Sequence, residues 1–367
     1  MSISFFHTHI SARSVALADE TLRSGWISEG LRVKEFEAAL ADRVGMRHPA
    51  ALNSGTAALH LALAVAGVGP GDEVILPAQT FVATGLAVLM QGAVPVFCDI
   101  DPDTGNLDPQ DFARRVTART KAVMPVHWGG QPCDMDEILA IAEPRGIAVV
   151  EDAAHALGAT YKNRPIGSIS RFTAFSFQAI KHLTTGDGGA LCSRGEEDAH
   201  AVMTRRWFGI DRAGSRPSIL GEREYDIAEV GYKYHLNDLG AAIGLGNLDD
   251  FPDRLARRRA ICARLRRELS GITDLQLLRA DPDRDSACWL FIVKVARRED
   301  FIRHLASRGV PASVVHLRID HNSVFGGLRS DLPGQADFNE RQVALPCHEA
   351  LTDADVDTIV QAVKSGW

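Results

Sequence analysis

Lys181 lies in the run Phe175-Ser176-Phe177-Gln178-Ala179-Ile180-Lys181-His182-Leu183, with Thr184-Thr185-Gly186-Asp187-Gly188-Gly189 directly after it. Apolar surroundings disfavour the charged form of a lysine, lower its pKa and leave a free amine suited to Schiff-base chemistry. The glycines let the backbone pass close to a ligand. Upstream, Val149-Val150-Glu151-Asp152-Ala153-Ala154-His155 ends an apolar strand in two carboxylates. Ligands of open α/β sheets sit beyond the carboxyl ends of the strands, which makes Asp152 a candidate site acid; capping of the next helix is its structural alternative. His155 shares the face of Asp152 if a helical turn starts there.

Two further segments complete the set. Asn53-Ser54-Gly55-Thr56-Ala57-Ala58 heads a helix, where first-turn amides, the Thr56 hydroxyl and the helix dipole form either an anion site or a plain N-cap. Pro77-Ala78-Gln79-Thr80-Phe81-Val82-Ala83-Thr84, expected as a loop after a strand, presents Phe81, an aromatic able to cover a flat ring or to fill core. In chain order, Thr56, Phe81, Asp152, His155 and Lys181 supply a phosphate cup, a stacking ring, an acid, a hydrogen-bonding histidine and an amine. Pyridoxal phosphate requires that inventory: an amine to attach it, a carboxylate to keep its pyridine nitrogen protonated, and amides for its phosphate.

The elements that must position these residues follow from patterning. Between about 32 and 245, helix-period stretches alternate with short β-branched runs, as in βα units on a largely parallel sheet. Strands are expected at Glu73 to Leu76, Val94 to Asp99, Ala122 to Val126, Ile147 to Glu151, Phe172 to Phe177 and Gly189 to Ser193, with a helix from Thr56 to Ala66. Gly67-Val68-Gly69-Pro70-Gly71 follows a helix rather than a strand, so it reads as a helix stop and not as a dinucleotide loop. After Gly246, an arginine-rich amphipathic helix from about 248 to 270 carries seven arginines between Arg254 and Arg267, expected to form a solvated face. A strand from Trp289 to Val295 and helices Arg298 to Arg308 and Asp353 to Lys364 complete a smaller α+β unit. The expected division is 1–245, a large cofactor-binding domain, and 246–367, a small C-terminal domain.

The 367-residue chain carries 40 Lys+Arg against 47 Asp+Glu, a net charge of −7, which argues against a nucleic-acid partner. The six cysteines form no C-x-x-C pair, so no metal site is expected and reduced thiols of a cytoplasmic protein are the reading. No signal peptide or membrane span is visible.

Taken together, these segments resemble the DegT/DnrJ/EryC1/StrS group of sugar aminotransferases, on the fold-type-I, aspartate aminotransferase-like scaffold. The resemblance runs over nearly the whole chain, through Ser24-Gly25-Trp26-Ile27-Ser28-Glu29-Gly30, Ser54-Gly55-Thr56-Ala57-Ala58-Leu59, Gly71-Asp72-Glu73-Val74-Ile75, Glu151-Asp152-Ala153-Ala154-His155, Thr184-Thr185-Gly186-Asp187-Gly188-Gly189 and Gly231-Tyr232-Lys233-Tyr234-His235-Leu236-Asn237-Asp238. It implies an α/β fold with a mostly parallel, seven-stranded-type sheet between helices. It also implies Lys181 as the Schiff-base lysine, Asp152 on the pyridine nitrogen, His155 near the phenolic oxygen and Phe81 as the stacking residue. Gly55, Thr56, Ala57 and Ser176 would surround the phosphate.

The family is generally a dimer with shared sites, and its Gly-Tyr-Asn-Tyr-Arg segment sends the asparagine to the partner's phosphate. Here Lys233 and His235 stand at the asparagine and arginine positions. A lysine could reach the phosphate as an ion pair. The implied reaction aminates a nucleotide-linked keto-sugar, a keto-deoxyhexose, with glutamate as donor. A dehydratase on the same scaffold, with histidine in place of the lysine, a keto-cyclitol aminotransferase and a non-catalytic regulatory relative are the alternatives. Trp26, His127, Trp128, His316 and Arg318 are each either substrate contacts or packing residues.

Overall fold

The structure, a computed structural model, describes residues 3–212 and 214–367. Its centre is a seven-stranded sheet. In spatial order the strands are Ala50–Leu52, Gly189–Ser193, Phe172–Ser176, Ala148–Asp152, Thr120–Val123, Glu73–Pro77 and Val94–Cys98. Gly189–Ser193 runs antiparallel to both neighbours and the remaining pairings are parallel. Both faces are covered. Ile75, Val123 and Val149 enter one apolar cluster, while Val74, Leu76, Ala122, Ala148 and Val150 enter another, as the two-residue side-chain period of a strand demands.

Because six strands share a direction, the segments that follow them arrive at one edge. Asn53, Thr80, Phe81, Asp152 and Ser176 are thereby gathered from distant parts of the chain. Helix Gly55–Val65 starts there, with Ser54 as N-cap accepting from the Ala57 amide at 3.0 Å, and is buried on most of its circumference. Gly189 is required by close approach: a Cβ there would lie 2.6 Å from the Phe175 carbonyl oxygen and from the Ser54 carbonyl carbon.

A three-stranded sheet, Leu275–Leu277, Phe291–Val295 and Gln342–Leu345, builds a separate apolar cluster with helices Phe251–Leu269, Arg298–Ser307 and Asp353–Lys364. Helix Phe251–Leu269 serves both halves, since Phe251 and Leu255 pack into the large core and Ile261, Leu265 and Leu269 into the small one. No described helix is long and apolar enough to cross a membrane.

Three sequence expectations are corrected. The strand expected from Trp289 starts at Phe291, because the Trp289 and Leu290 amides both donate to the Gly129 carbonyl. Strands Ala50–Leu52, Leu275–Leu277 and Gln342–Leu345 were not anticipated, being three or four residues long and without periodicity. Most arginines of the 251–269 helix are not on a solvated face: Arg254 and Arg258 are buried and Arg257, Arg259, Arg264 and Arg266 half-buried, while Arg267 stays exposed. Arg254 donates to the His182 and Asn247 carbonyls, Arg258 pairs with Glu349 at 2.7 Å and Arg259 bridges the Ser286 and Gly158 carbonyls. The planar guanidinium fork suits such multi-carbonyl contacts, so these side chains fasten the helix to surrounding loops.

Candidate active site

A cavity of about 350 Å³ opens at the sheet edge. Ser54, Gly55, Thr56, Phe81, Asp152, His155, Ser176 and Lys181 line it, together with Gln178, Asp187, Trp289 and His316. Of the residues expected from sequence, Ala57 and Lys233 stand apart. Ala57 is buried, with its amide capped by Ser54, and faces an adjacent pocket with Tyr234. Lys233 is exposed, its amine 5.9 Å from the Trp207 ring centre and its carbonyl accepting from the Asn53 side chain.

Lys181 sits in a turn closed by its own amide, which donates to the Gln178 carbonyl at 2.9 Å. Its amine is enclosed, and burial pushes it down to about 7 against the opposing pull of the Asp152 carboxylate. Such an amine is half neutral at physiological pH, whereas an exposed lysine is almost wholly protonated.

Asp152 ends its strand with both oxygens engaged. Oδ2 accepts from the Thr84 hydroxyl at 2.7 Å and Oδ1 from the Ala154 amide at 3.1 Å. Thr84 is supported in turn by Thr80 at 2.6 Å, so the carboxylate is fixed in direction. His155 stacks on Trp289, with ring centres 3.8 Å apart and planes 16° apart. Burial, and then Lys181, drive its imidazole well below the ordinary histidine range, and its Nδ1 is buried without a hydrogen-bond partner. An unpaired buried ring nitrogen carries a desolvation cost that a bound group could relieve.

Phe81 is 52% exposed, too open for core filler, and its ring centre lies 5.0 Å from that of His316. His316 is held neutral, burial and then Lys181 lowering it to about 4. The other four open candidates separate cleanly. His127 is fully buried and bonded to Glu151 at 2.8 Å, Arg318 is locked to Asp320, Trp128 is core, and Trp26 lies on the surface at 68% exposure. His182, next to the key lysine, bonds the Ala287 carbonyl at 2.8 Å and stays out of the cavity.

Trp289 and Thr84 were missed from sequence. Thr84 stands in the segment 77–84 expected as a loop, but a helix already begins at Val82 and turns Thr84 towards Asp152; Trp289 gave no signal, because it comes from a distant part of the chain.

Comparison with known proteins agrees with this architecture. Residues 8–364 match the model of the DegT/DnrJ/EryC1/StrS aminotransferase family, to which the chain therefore belongs. A spore coat polysaccharide biosynthesis protein, SpsC of Bacillus subtilis, is 41% identical, the match covering 97% of this chain and 94% of that one. The sugar aminotransferase CalS13 from Micromonospora echinospora superposes with a TM-score of 0.95 at 36% identity, over 100% of both chains. The pyridoxal-phosphate form of Spr1654 from Streptococcus pneumoniae superposes with a TM-score of 0.91 at 33% identity, over 100% of this chain and 98% of that one. The chain is thus a pyridoxal-phosphate-dependent aminotransferase of the sugar-modifying class. The cavity fits that cofactor on its own terms: an enclosed near-neutral amine, a fixed carboxylate, an unpaired imidazole nitrogen and a helix N-terminus converge on one space.

Proposed function

We propose that the enzyme aminates a nucleotide-linked keto-sugar, of the keto-deoxyhexose kind, with glutamate as amino donor. In this reading Lys181 attaches the cofactor, Asp152 holds the proton of its pyridine nitrogen, and His155 Nδ1 meets its phenolic oxygen. Phe81 covers the ring, and Gly55, Thr56, Ala57 and Ser176 surround the phosphate. When bound, the cofactor supplies an electron-withdrawing ring that makes the donor's α-hydrogen acidic. The chain's own part is proton management. Neutral Lys181 Nζ takes up the proton released at the donor's α-carbon and returns it, and in the second half-reaction the same amine works in reverse on the sugar side.

The observation that carries this reading is the Lys181 amine, enclosed and brought to about 7 beside Asp152. It also weighs against a dehydratase built on histidine, since His182 is turned to the Ala287 carbonyl.

The reading extends to assembly and location. Two copies form a homodimer in the cytoplasm, with Lys233 of each reaching the partner's phosphate; it is exposed and does not line its own cavity, which leaves it available for that role. Residues 1–245 and 246–367 act as the large and small domains.

The test is a panel of nucleotide-linked keto-sugars and a keto-cyclitol, each offered with glutamate while 2-oxoglutarate is measured. Turnover of a nucleotide-linked hexose is expected. Turnover of the cyclitol alone overturns the substrate class, and amination with alanine but not glutamate overturns the donor.

A further inference from the structure

Trp289 makes three contacts with the catalytic segment. Its ring stacks on His155, with centres 3.8 Å apart. The Lys181 amine lies over the same side chain, 3.8 Å from the ring centre. Its indole N–H donates to the Ile180 carbonyl at 3.1 Å, fixing the peptide that immediately precedes Lys181. At 1% exposure the indole is enclosed, while Lys181 is half-buried in the cavity wall.

A turn in the large unit delivers it there. Gly129 accepts from the Trp289 and Leu290 amides, and Gly130 accepts from the Ala287 amide. Gly130 has φ +98, and a Cβ on it would lie 2.8 Å from the His155 carbonyl oxygen and 3.1 Å from the Trp289 nitrogen. Glycine is the residue that permits both this backbone conformation and this approach. The far side of Lys181 is pinned similarly, the His182 carbonyl by Arg254 and the His182 ring by the Ala287 carbonyl. The segment 286–290 and the 251–269 helix thus grip the lysine turn from both sides.

We propose that Trp289 is a positioning residue for the transamination, whose indole sets the place and protonation balance of the Lys181 amine while holding the plane of His155. An aromatic face attracts an ammonium through its quadrupole, most strongly for tryptophan and more so away from water. It therefore stabilises the protonated amine against burial and keeps the lysine within reach of both protonation states, as a residue that takes up and returns a proton requires. The other titratable groups around the amine are Asp152 at the strand end, His155, Asp187 and His316 in the cavity wall, and His182 next in sequence. Asp152 raises the amine, and the nearby histidines are held in their neutral forms.

This inference rests on the reading of Lys181 as the reactive amine, but its test does not require cofactor. The full-length, cofactor-free chain is acylated at a series of pH values, and the rate at Lys181 is read by peptide mass spectrometry. Wild type should titrate near 7. Trp289→Leu, which keeps apolar bulk and removes the ring, should lower the midpoint by about one pH unit, and Trp289→Phe should restore at least half of that. On the loaded enzyme, Trp289→Leu should lower kcat with the donor KM unchanged. An unmoved or raised midpoint in a folded Trp289→Leu protein overturns the proposal. If that variant does not fold, Trp289→Met, which also lacks a ring, carries the test: a lowered midpoint supports the proposal and an unmoved one overturns it. A borohydride label found on another lysine would remove the reading of Lys181 while leaving the titration interpretable.

Discussion

The small sheet carries one lysine and the turn beyond a strand of the large sheet another, and the protein treats the two in opposite ways. Lys294, on strand Phe291–Val295, is 2% exposed and meets Asp337 at 3.0 Å and Asp103 at 3.5 Å. Lys181, beyond strand Phe172–Ser176, has an aromatic ring at 3.8 Å and, among the described residues, no carboxylate in ion-pair contact. A paired charge holds structure together. An enclosed amine without a partner costs stability and is kept ready to react. The same contrast separates Arg254 and Arg258 of helix 251–269, bonded to carbonyls and a carboxylate, from the unpaired Nδ1 of His155.

The strongest way to break this comparison is to remove the reactive lysine. Lys181→Met should lower turnover by about 10³-fold. Borohydride should label Lys181 alone in the wild-type enzyme, and label elsewhere ends the assignment. The same substitution has a sign to check in the cofactor-free protein. The folded amine titrates near 7 and the unfolded one at its ordinary 10.5, so between these values the unfolded chain holds the extra proton. The stability cost is fully present below about pH 7 and is lost as pH rises through 10.5. Cofactor-free Lys181→Met should therefore melt higher than wild type at neutral pH, with the gap closing at alkaline pH. A wild type that melts higher at neutral pH would show that the amine is not strained.

Asp152→Asn should cost about 10² to 10³-fold in rate with little change in melting, because an amide keeps the shape but cannot hold the ring proton. His155→Ala removes one hydrogen bond and no charge, so about tenfold is expected. Equal losses in the two variants would contradict the division of labour between acid and histidine.

A smaller effect concerns Lys233. Lys233→Ala should weaken cofactor binding by about tenfold, as loss of one charged hydrogen bond does. Mixed with Lys181→Ala under subunit exchange, it should regain activity, since one site of the heterodimer would then contain both lysines. Activity equal to the average of the parents would place Lys233 outside the partner's site.

The smallest change is expected on the structural side. Lys294→Met leaves Asp103 and Asp337 half open to solvent, at 50% and 41% exposure, so unfolding in urea should shift by only about 1 kcal/mol, with kcat unchanged. A fall in kcat would mean that the two buried lysines are not as different as their partners indicate.

Much of the site could be read from the chain because its chemistry is packed into short segments. Asp152 and His155 are three residues apart at a strand end, Thr56 follows an N-cap, and Lys181 stands between an apolar strand and a glycine turn. The place of each on its element follows from its own neighbours, so local pattern suffices to nominate it, and the parallel strands carry the segments to a common edge. The strand Gly189–Ser193 and the helix Asp353–Lys364 were legible for the same reason, their boundaries being marked by turn residues and caps.

What the tertiary structure alone decided depends on residues far apart in sequence. Trp289 reaches Lys181 and His155 because Gly129 and Gly130 dock the segment 287–290, and Arg254 reaches the His182 carbonyl across 72 positions. The arginine helix shows the limit: seven charges on an acidic chain look solvated until folding supplies the carbonyls and carboxylates that bury Arg254 and Arg258 and engage Arg257, Arg259, Arg264 and Arg266. Periodicity records which face of an element turns inward, but it contains nothing about which distant group that face will meet. Partner identity is fixed only when loops close, and it is the partner that makes one buried cation a brace and another a reactive amine.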